Sequence, residues 1–187
     1  MNLCCKCQDN SQINVSMFGL ENAGKTQLLY QWCIHKFVET TPTIAFNVET
    51  IQSEEVSVAI WDIGGQPKSR QFWRYYLQSV SAIFFVIDST QRDFKLIQEA
   101  KSELSSLLDN KIVAKVPFLI LFNKSDLNNS FTDEELLDEF GLSLDQEQIT
   151  TKFTHQVKVM RTSAFSQNEI GDILNWVTQI SQKKKLK

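Results

Sequence analysis

The sequence has few of the residues that metal centres and nucleophilic triads require. It contains two histidines and four cysteines in 187 residues. Cys4, Cys5 and Cys7 crowd the N-terminus, with a spacing that builds no disulfide framework and lacks the fourth ligand of a zinc site. The remaining cysteine, Cys33, is predicted to be a core residue of a helix. A zinc enzyme, a disulfide-stabilised domain and a Ser-His-Asp hydrolase are therefore disfavoured.

Long hydrophobic runs and a strong charge of one sign are also lacking. The longest apolar runs, near Ala82–Ile87 and Val116–Phe122, are far too short to span a bilayer. The first residues carry no apolar segment of a signal peptide. A net charge of −3 gives no reason to expect nucleic-acid binding. We expect a cytoplasmic protein with one globular domain, which acts as a monomer.

Residues 19–26, Gly-Leu-Glu-Asn-Ala-Gly-Lys-Thr, fit the phosphate-binding pattern Gly-x4-Gly-Lys-[Ser/Thr] at every fixed position. A predicted strand precedes this P-loop and a predicted helix follows it, as the motif requires. Glycine allows close approach of the phosphates, and amides at a helix start bind anions. Lys25 is predicted to contact the β- and γ-phosphates, and the Thr26 hydroxyl to ligate Mg²⁺. The predicted nucleotide contacts are Gly19, Leu20, Glu21, Asn22, Ala23, Gly24, Lys25, Thr26 and Gln27.

Strand-like and helix-like segments alternate along most of the chain. The predicted strands are Ile13–Phe18, Phe46–Ile51, Val56–Asp62, Ala82–Ile87, Phe118–Phe122 and Gln156–Met160. The predicted helices are Lys25–His35, Phe94–Leu108, Asp133–Phe140 and Glu169–Ser181. The second and third strands are close enough to form an antiparallel hairpin. The pattern predicts an α/β three-layer fold of the Ras-like P-loop NTPase type. Its six-stranded sheet is mostly parallel, with one antiparallel strand and helices on both faces.

Two further segments complete a predicted phosphate and metal site. Asp62 ends a strand, where it can hold Mg²⁺ through water, and Gly65 can donate its N–H to the γ-phosphate. Gln66 is then predicted to orient the attacking water. Thr43 lies in the loop before the second strand and is predicted to supply a second hydroxyl to Mg²⁺. Loss of the γ-phosphate would free that loop.

The string Asn123-Lys124-Ser125-Asp126 predicts recognition of guanine. The Asp126 carboxylate can accept two hydrogen bonds from guanine, whereas adenine offers no donors at those positions. Asn123 and the aliphatic stem of Lys124 can brace the loop and cover the ring. The short segment of Ser163 and Ala164 can present an N–H to the guanine O6. The expected ligands are therefore GTP or GDP with Mg²⁺.

With these motifs the sequence resembles small GTPases of the ADP-ribosylation-factor (Arf and Arf-like) family, over roughly residues 13–181. The resemblance rests on four strings, which are Gly19–Thr26, Pro42–Thr50, Trp61–Gln66 and Phe72–Tyr76. It implies a GDP/GTP switch that hydrolyses GTP slowly and regulates membrane or vesicle trafficking. Its implied partners are an exchange factor, a GTPase-activating protein and effectors. By the same resemblance, Phe46, Trp61 and Tyr76 grip effectors, although core packing is the ordinary alternative.

Several residues depart from the family pattern. Ala45 replaces the usual glycine, which would restrict a backbone rearrangement of the switch region. Pro67 stiffens a segment that is expected to be mobile. In the same segment, which corresponds by resemblance to switch II, Lys68 and Arg70 could instead be ordinary solvated surface residues. A nucleotide-locked or nucleotide-free scaffold therefore stays open as an alternative. An ATP-using P-loop kinase or ATPase is disfavoured by Asp126 in its Asn-Lys-x-Asp setting.

The two ends differ in composition from the body. We assign residues 1–12 to a flexible tail, 13–181 to the GTPase domain and 182–187 to a basic tail. Residue 2 is asparagine, so the myristoylation signal is absent, and no prenylation box ends the chain. Cys4, Cys5 and Cys7 are candidate palmitoylation sites for peripheral attachment to an intracellular membrane. A reduced, unmodified tail is an equal alternative.

Overall fold

The computed structural model describes residues 12–53, 56–142, 156–166 and 169–185. The candidate palmitoylation sites Cys4, Cys5 and Cys7 lie outside the described residues. The assignment of the two tails therefore stays a prediction. Within the described part of the chain, no helix is both long and apolar enough to cross a membrane.

Six strands form a single sheet in the order β2-β3-β1-β4-β5-β6. The strands are β1 (Ile13–Phe18), β2 (Phe46–Gln52), β3 (Ser57–Ile63), β4 (Ala82–Asp88), β5 (Phe118–Asn123) and β6 (Val157–Arg161). β2 pairs antiparallel with β3, and the other four pairings are parallel. This confirms the predicted sheet, including the hairpin. Parallel pairing brings the carboxyl ends of β1, β3, β4 and β5 to one edge, where the loops gather.

The helices are α1 (Lys25–Ile34), α2 (Pro67–Arg70), α3 (Phe94–Leu108), α4 (Asp133–Phe140) and α5 (Glu169–Lys185). Short 3₁₀ helices cover Trp73–Leu77 and Lys111–Val113. The predicted end of α1 is one residue too long, because His35 adopts the left-handed conformation that stops the helix, at φ 54°. α5 continues beyond its predicted end. α2 and the 3₁₀ helices were not predicted, since they are too short to show hydrophobic periodicity.

Two apolar layers cover the sheet, which confirms the three-layer fold. On one face, β1, β4 and β5 pack against α1 and α5, with Trp32 and Trp176 among the buried residues. On the other face they pack against α3 and α4, with Leu104 and Phe140 buried. β5 is buried at all six positions, as expected of a central strand covered on both sides.

Cys33 packs at the margin of this core, as the sequence predicts for a core position of α1. It is only half-buried. Burial, with a smaller contribution from the nearby negative charge of Glu49, raises the pKa of its thiol to about 11. The thiol is therefore protonated at neutral pH, and protonated thiols are poor nucleophiles.

The central strand gives a direct test of the core. Leu119→Ala removes a side chain with no solvent exposure, so we expect the free energy of unfolding to fall by about 2–5 kcal/mol. The matched control is Ile112→Ala, at a position that is 58% exposed, with an expected change within about 0.5 kcal/mol. Urea denaturation at a fixed nucleotide concentration measures both. Equal losses in the two variants would contradict this account of the core.

Candidate nucleotide-binding site

The predicted site residues meet at the carboxyl-end edge of the sheet. The P-loop connects β1 to α1, Asp62 lies near the end of β3, and Asn123 ends β5. In the parallel register Met17 of β1 pairs with Asp62, and Asp88 of β4 pairs with Asn123. Ligands of doubly wound sheets bind at this edge. The topology therefore brings three distant sequence motifs together.

The P-loop adopts a backbone that requires glycine at two positions. Gly19 has φ 143°, and a Cβ there would collide with the carbonyl of Val86. Gly24 has φ 90°, and a Cβ there would collide with the Asn123 amide. Gly24 is also the N-cap of α1, so the first N–H groups of that helix adjoin the loop and have no carbonyl partner within the helix. Such a helix start suits an anionic ligand.

Lys25 is buried beneath this loop, and its ammonium group donates to two P-loop carbonyls. The distances from Nζ are 3.0 Å to the oxygen of Gly19 and 2.9 Å to that of Leu20. Burial lowers the pKa of Lys25 to about 8, against the opposing attraction of the Asp62 carboxylate. Phosphate oxygens at the loop would favour the charged ammonium and offset this desolvation.

Two hydroxyls and one carboxylate converge beside Lys25. The Thr26 and Thr43 hydroxyl oxygens are 3.0 Å apart. Thr26 donates to Asp62 Oδ2 at 2.5 Å, and Thr43 approaches the same oxygen at 3.4 Å. Asp62 is fully buried, and burial raises its pKa. Its Oδ1 has no hydrogen-bond partner among the residues that the structure describes. A buried acceptor without a partner is costly, so these oxygens fit a hard cation such as Mg²⁺.

The segment after β3 packs directly on the P-loop. A Cβ on Gly65 would collide with the Gly19 carbonyl, so only glycine permits this approach. Gln66 is half-buried and precedes α2, in which Pro67 takes the first helical position that suits proline. Ala45 is not at a positive φ, and its carbonyl accepts from the N–H of Gly64 at 3.0 Å. Neither departure from the family pattern therefore strains the site.

Arg70 and Ser69 are structural partners of this segment that the sequence did not reveal. The Arg70 side chain is only 8% exposed, and its Nη1 lies 2.6 Å from Glu99 Oε1 on α3. Its Nε donates to the Gly65 carbonyl at 2.8 Å. Ser69 donates to the Ile44 carbonyl at 3.0 Å and so joins the two loops. The solvated-surface alternative is wrong for Arg70, because its side chain is buried and paired with Glu99. The sequence did not reveal this pair, because no local pattern connects Arg70 to α3.

The base-recognition segment is anchored to the P-loop. Asn123 is buried, and its amide donates to the Ala23 carbonyl at 2.8 Å. Lys124 has φ 63° and forms an ion pair with Asp88 at 2.6 Å. Ser125 donates to the Thr162 carbonyl at 2.9 Å, which ties this loop to the one after β6. Asp126 keeps its carboxylate exposed in the wall of the cavity.

A cavity of about 480 Å³ joins these parts, a volume suitable for a nucleotide. The predicted residues in its wall are Glu21, Asn22, Gly24, Lys25, Thr26, Gln27, Thr43, Gly65, Gln66, Asn123, Lys124, Asp126 and Ala164. The other predicted residues, Gly19, Leu20, Ala23, Asp62 and Ser163, do not line this cavity. In the amide orientation that gives both of its polar atoms a partner, Gln27 donates a hydrogen bond to the Val38 carbonyl and accepts one from the Val38 N–H. Phe37, Leu127 and Phe165 also line the cavity and were not predicted as contacts, because apolar loop residues carry no motif.

The aromatic residues assigned to effectors form a separate cluster on the outer part of the sheet. The ring centroids are 5.1 Å apart for Phe46 and Trp61, 5.7 Å for Phe46 and Tyr76, and 6.4 Å for Trp61 and Tyr76. Phe46 is 45% exposed, while the other two are half-buried. Trp61 and Tyr76 therefore also pack in part against the core, as the alternative interpretation of these residues expects. The cluster still presents an aromatic surface.

Comparisons with known proteins agree with this geometry. The sequence profile of the ADP-ribosylation factor family matches residues 2–181. The chain is also similar to a structure of the Arl6 BBS3 small GTPase from Trypanosoma brucei with the bound nucleotide analogue GppNp. The TM-score is 0.77 with 26% sequence identity, and the match covers 92% of this chain and 99% of that one. The kinase alternative is thereby excluded. The chain belongs to the ADP-ribosylation factor family and is a GTP-binding small GTPase.

Proposed function

We propose that the protein is a molecular switch that binds GTP and GDP with Mg²⁺ and regulates membrane or vesicle trafficking. The observation that carries the proposal is the convergence of Thr26, Thr43 and Asp62, which brings the P-loop, the loop before β2 and the end of β3 to one point. A ligand bound at that point would contact all three segments. The trafficking role rests on the family resemblance alone.

The loop that carries Thr43 has the properties of a switch. Residues 39–42 and 44–46 are all exposed, whereas Thr43 turns inward to Thr26 and Asp62. The inward hydroxyl is one of the contacts that hold this loop, together with the bonds from Ser69 to the Ile44 carbonyl and from the Gly64 N–H to the Ala45 carbonyl. Loss of the γ-phosphate would remove a partner of Thr43 and release the loop.

Different residues of the chain have different roles in GTP hydrolysis. Lys25 supplies positive charge to the phosphates, and Gln66 orients the attacking water from the cavity wall. Thr26, Thr43 and Asp62 would hold Mg²⁺, Asp62 through water. When bound, that ion neutralises phosphate charge. The N–H of Gly65 donates toward the γ-phosphate, which the close packing of Gly65 on the P-loop makes feasible.

The loop before β2 cannot supply an arginine that stabilises the transition state. No arginine precedes Arg70 in the sequence. Arg70 itself is engaged by Glu99 and by the Gly65 carbonyl. Because such an arginine contributes about 10³–10⁵ in rate, we propose slow intrinsic hydrolysis and acceleration by a GTPase-activating protein. An exchange factor and effectors complete the cycle, with Phe46, Trp61 and Tyr76 as the effector surface.

The first test identifies the nucleotide that leaves the denatured protein and then measures how Mg²⁺ controls its release. Wild-type protein should yield GDP or GTP, and EDTA should accelerate dissociation of fluorescent GDP at least about tenfold, the equivalent of roughly 1.4 kcal/mol. Thr26→Ala should bind nucleotide more weakly and lose most of the EDTA effect, because one oxygen ligand is gone. Thr178→Ala, a change in α5, is the matched control. Release insensitive to EDTA in the wild type would overturn the Mg²⁺ proposal.

Base selection rests on Asp126. In Asp126→Asn one acceptor oxygen becomes an NH₂ donor that faces the N–H groups of guanine. We expect GDP affinity to fall about 5- to 150-fold, which corresponds to about 1–3 kcal/mol for an unmatched polar group. Xanthosine diphosphate, with a carbonyl at position 2, should bind the variant better than the wild type. Competition against fluorescent GDP measures both affinities, and an unchanged preference for guanine would refute this role.

Hydrolysis depends on Gln66. Gln66→Leu should lower single-turnover hydrolysis of GTP about tenfold or more while GTP affinity stays within about twofold, since the side chain acts on water and not on the nucleotide. Gln71→Leu makes the same change at an exposed position of the same segment and serves as the control. Wild-type hydrolysis by the Gln66 variant would contradict the assignment.

A further inference from the structure

Two phenylalanine rings stack on each other at the cavity. Phe37 and Phe165 have centroids 4.9 Å apart and planes inclined by 13°. Phe37 belongs to the loop between α1 and β2, and Phe165 to the turn that follows β6. The contact therefore joins the loop that carries Thr43 to the loop that carries Ser163 and Ala164.

The pair lies at the rim of the nucleotide cavity. Both residues line the cavity, yet Phe37 is 58% and Phe165 68% exposed. Asp126, Leu127 and Ala164 line the same cavity, and Ala164 directly precedes Phe165 in the sequence. Because Asp126 is the predicted guanine contact, the stacked rings stand on the base side of the cavity and not on the phosphate side.

Both rings are attached to well-anchored backbone. The N–H of Phe165 donates to the Ser163 hydroxyl at 3.0 Å, and the Thr162 carbonyl accepts from Ser125. On the other side, the backbone of Val38 is bonded by the buried Gln27 of α1. The rings can separate by rotation of an exposed side chain or by displacement of the loop between α1 and β2, since the turn after β6 is tied to the base-recognition segment.

We infer that Phe37 and Phe165 form an aromatic gate across the base side of the nucleotide cavity, which must open for guanine nucleotide to leave or bind. This rests on the guanine site proposed above. A stacked aromatic pair contributes an amount equivalent to about a 2- to 10-fold change in a rate or equilibrium constant. The gate would slow exchange, and the loop that carries Thr43 supplies one of its two rings.

A gate has a kinetic signature that distinguishes it from a direct contact with the base. The stack joins two protein rings, so its loss favours opening in both directions. The association and dissociation rate constants then rise by the same factor, and the dissociation constant is unchanged. A ring that only contacts the base would, when removed, raise the dissociation rate and weaken the affinity.

The test compares Phe37→Ala, Phe165→Ala and the double variant by stopped-flow measurement with fluorescent GDP and Mg²⁺. Each single variant should raise both rate constants about 2- to 10-fold, with affinity within about twofold. The double variant should be no faster than the faster single one, because the first substitution already removes the stack. Phe165→Tyr should retain slow kinetics. Phe94→Ala, a substitution of a phenylalanine that is 69% exposed and lies outside the cavity wall, is the matched control.

Three outcomes would overturn the gate while the guanine site stands. These are unchanged rates in both single variants, a rise in dissociation alone with weaker affinity, and effects that multiply in the double variant. Failure of the wild-type protein to bind fluorescent GDP would instead overturn the guanine site itself, and the gate with it.

Discussion

Asp62 places a carboxylate in the interior at the end of β3, where it accepts from Thr26 and faces Thr43. A buried charge is tolerated only when hydrogen bonds and opposite charges surround it. The two hydroxyls and the ammonium of Lys25 supply part of that compensation, and Oδ1, which has no partner within the described part of the chain, can accept a further bond. The rest of the site is arranged around this requirement. The P-loop and the loop before β2 each contribute a group that faces it.

Close packing of loops gives the site its rigidity. Gly65 lies against the P-loop so tightly that any side chain would collide with the backbone. Asn123 bonds the P-loop carbonyl of Ala23, and Arg70 bonds the carbonyl of Gly65 while its guanidinium pairs with α3. Each of these side chains is largely buried and fully engaged, so each acts through the backbone that it holds. The consequence is a cavity whose walls come from separate loops but are fixed to one another.

The sequence predicted which residues belong to the motifs for phosphate, metal and guanine. It did not predict the contacts that join one loop to another. The P-loop, Asp62, Gln66 and Asn123–Asp126 carry residue types and spacings that the chemistry of phosphate, metal and guanine demands. The hairpin of β2 and β3 followed from a short polar connection between two apolar runs. Arg70 and Ser69 were missed because their partners lie on α3 and on the loop before β2. The stacked rings of Phe37 and Phe165 were missed because two separate apolar loop residues carry no signal that they meet.

The sequence by itself determined the fold class, the family and the chemistry of the ligand, because hydrophobic periodicity and fixed motifs are local properties. It also showed that no arginine precedes Arg70. Only the tertiary structure decided which carbonyl each buried side chain bonds, that Ala45 and Pro67 fit without strain, and that two distant aromatic rings close one side of the cavity. Those contacts depend on the parallel order of the strands, which places β1, β3, β4 and β5 side by side. Their geometry arises from packing between segments far apart in the chain, so it is absent from any local pattern.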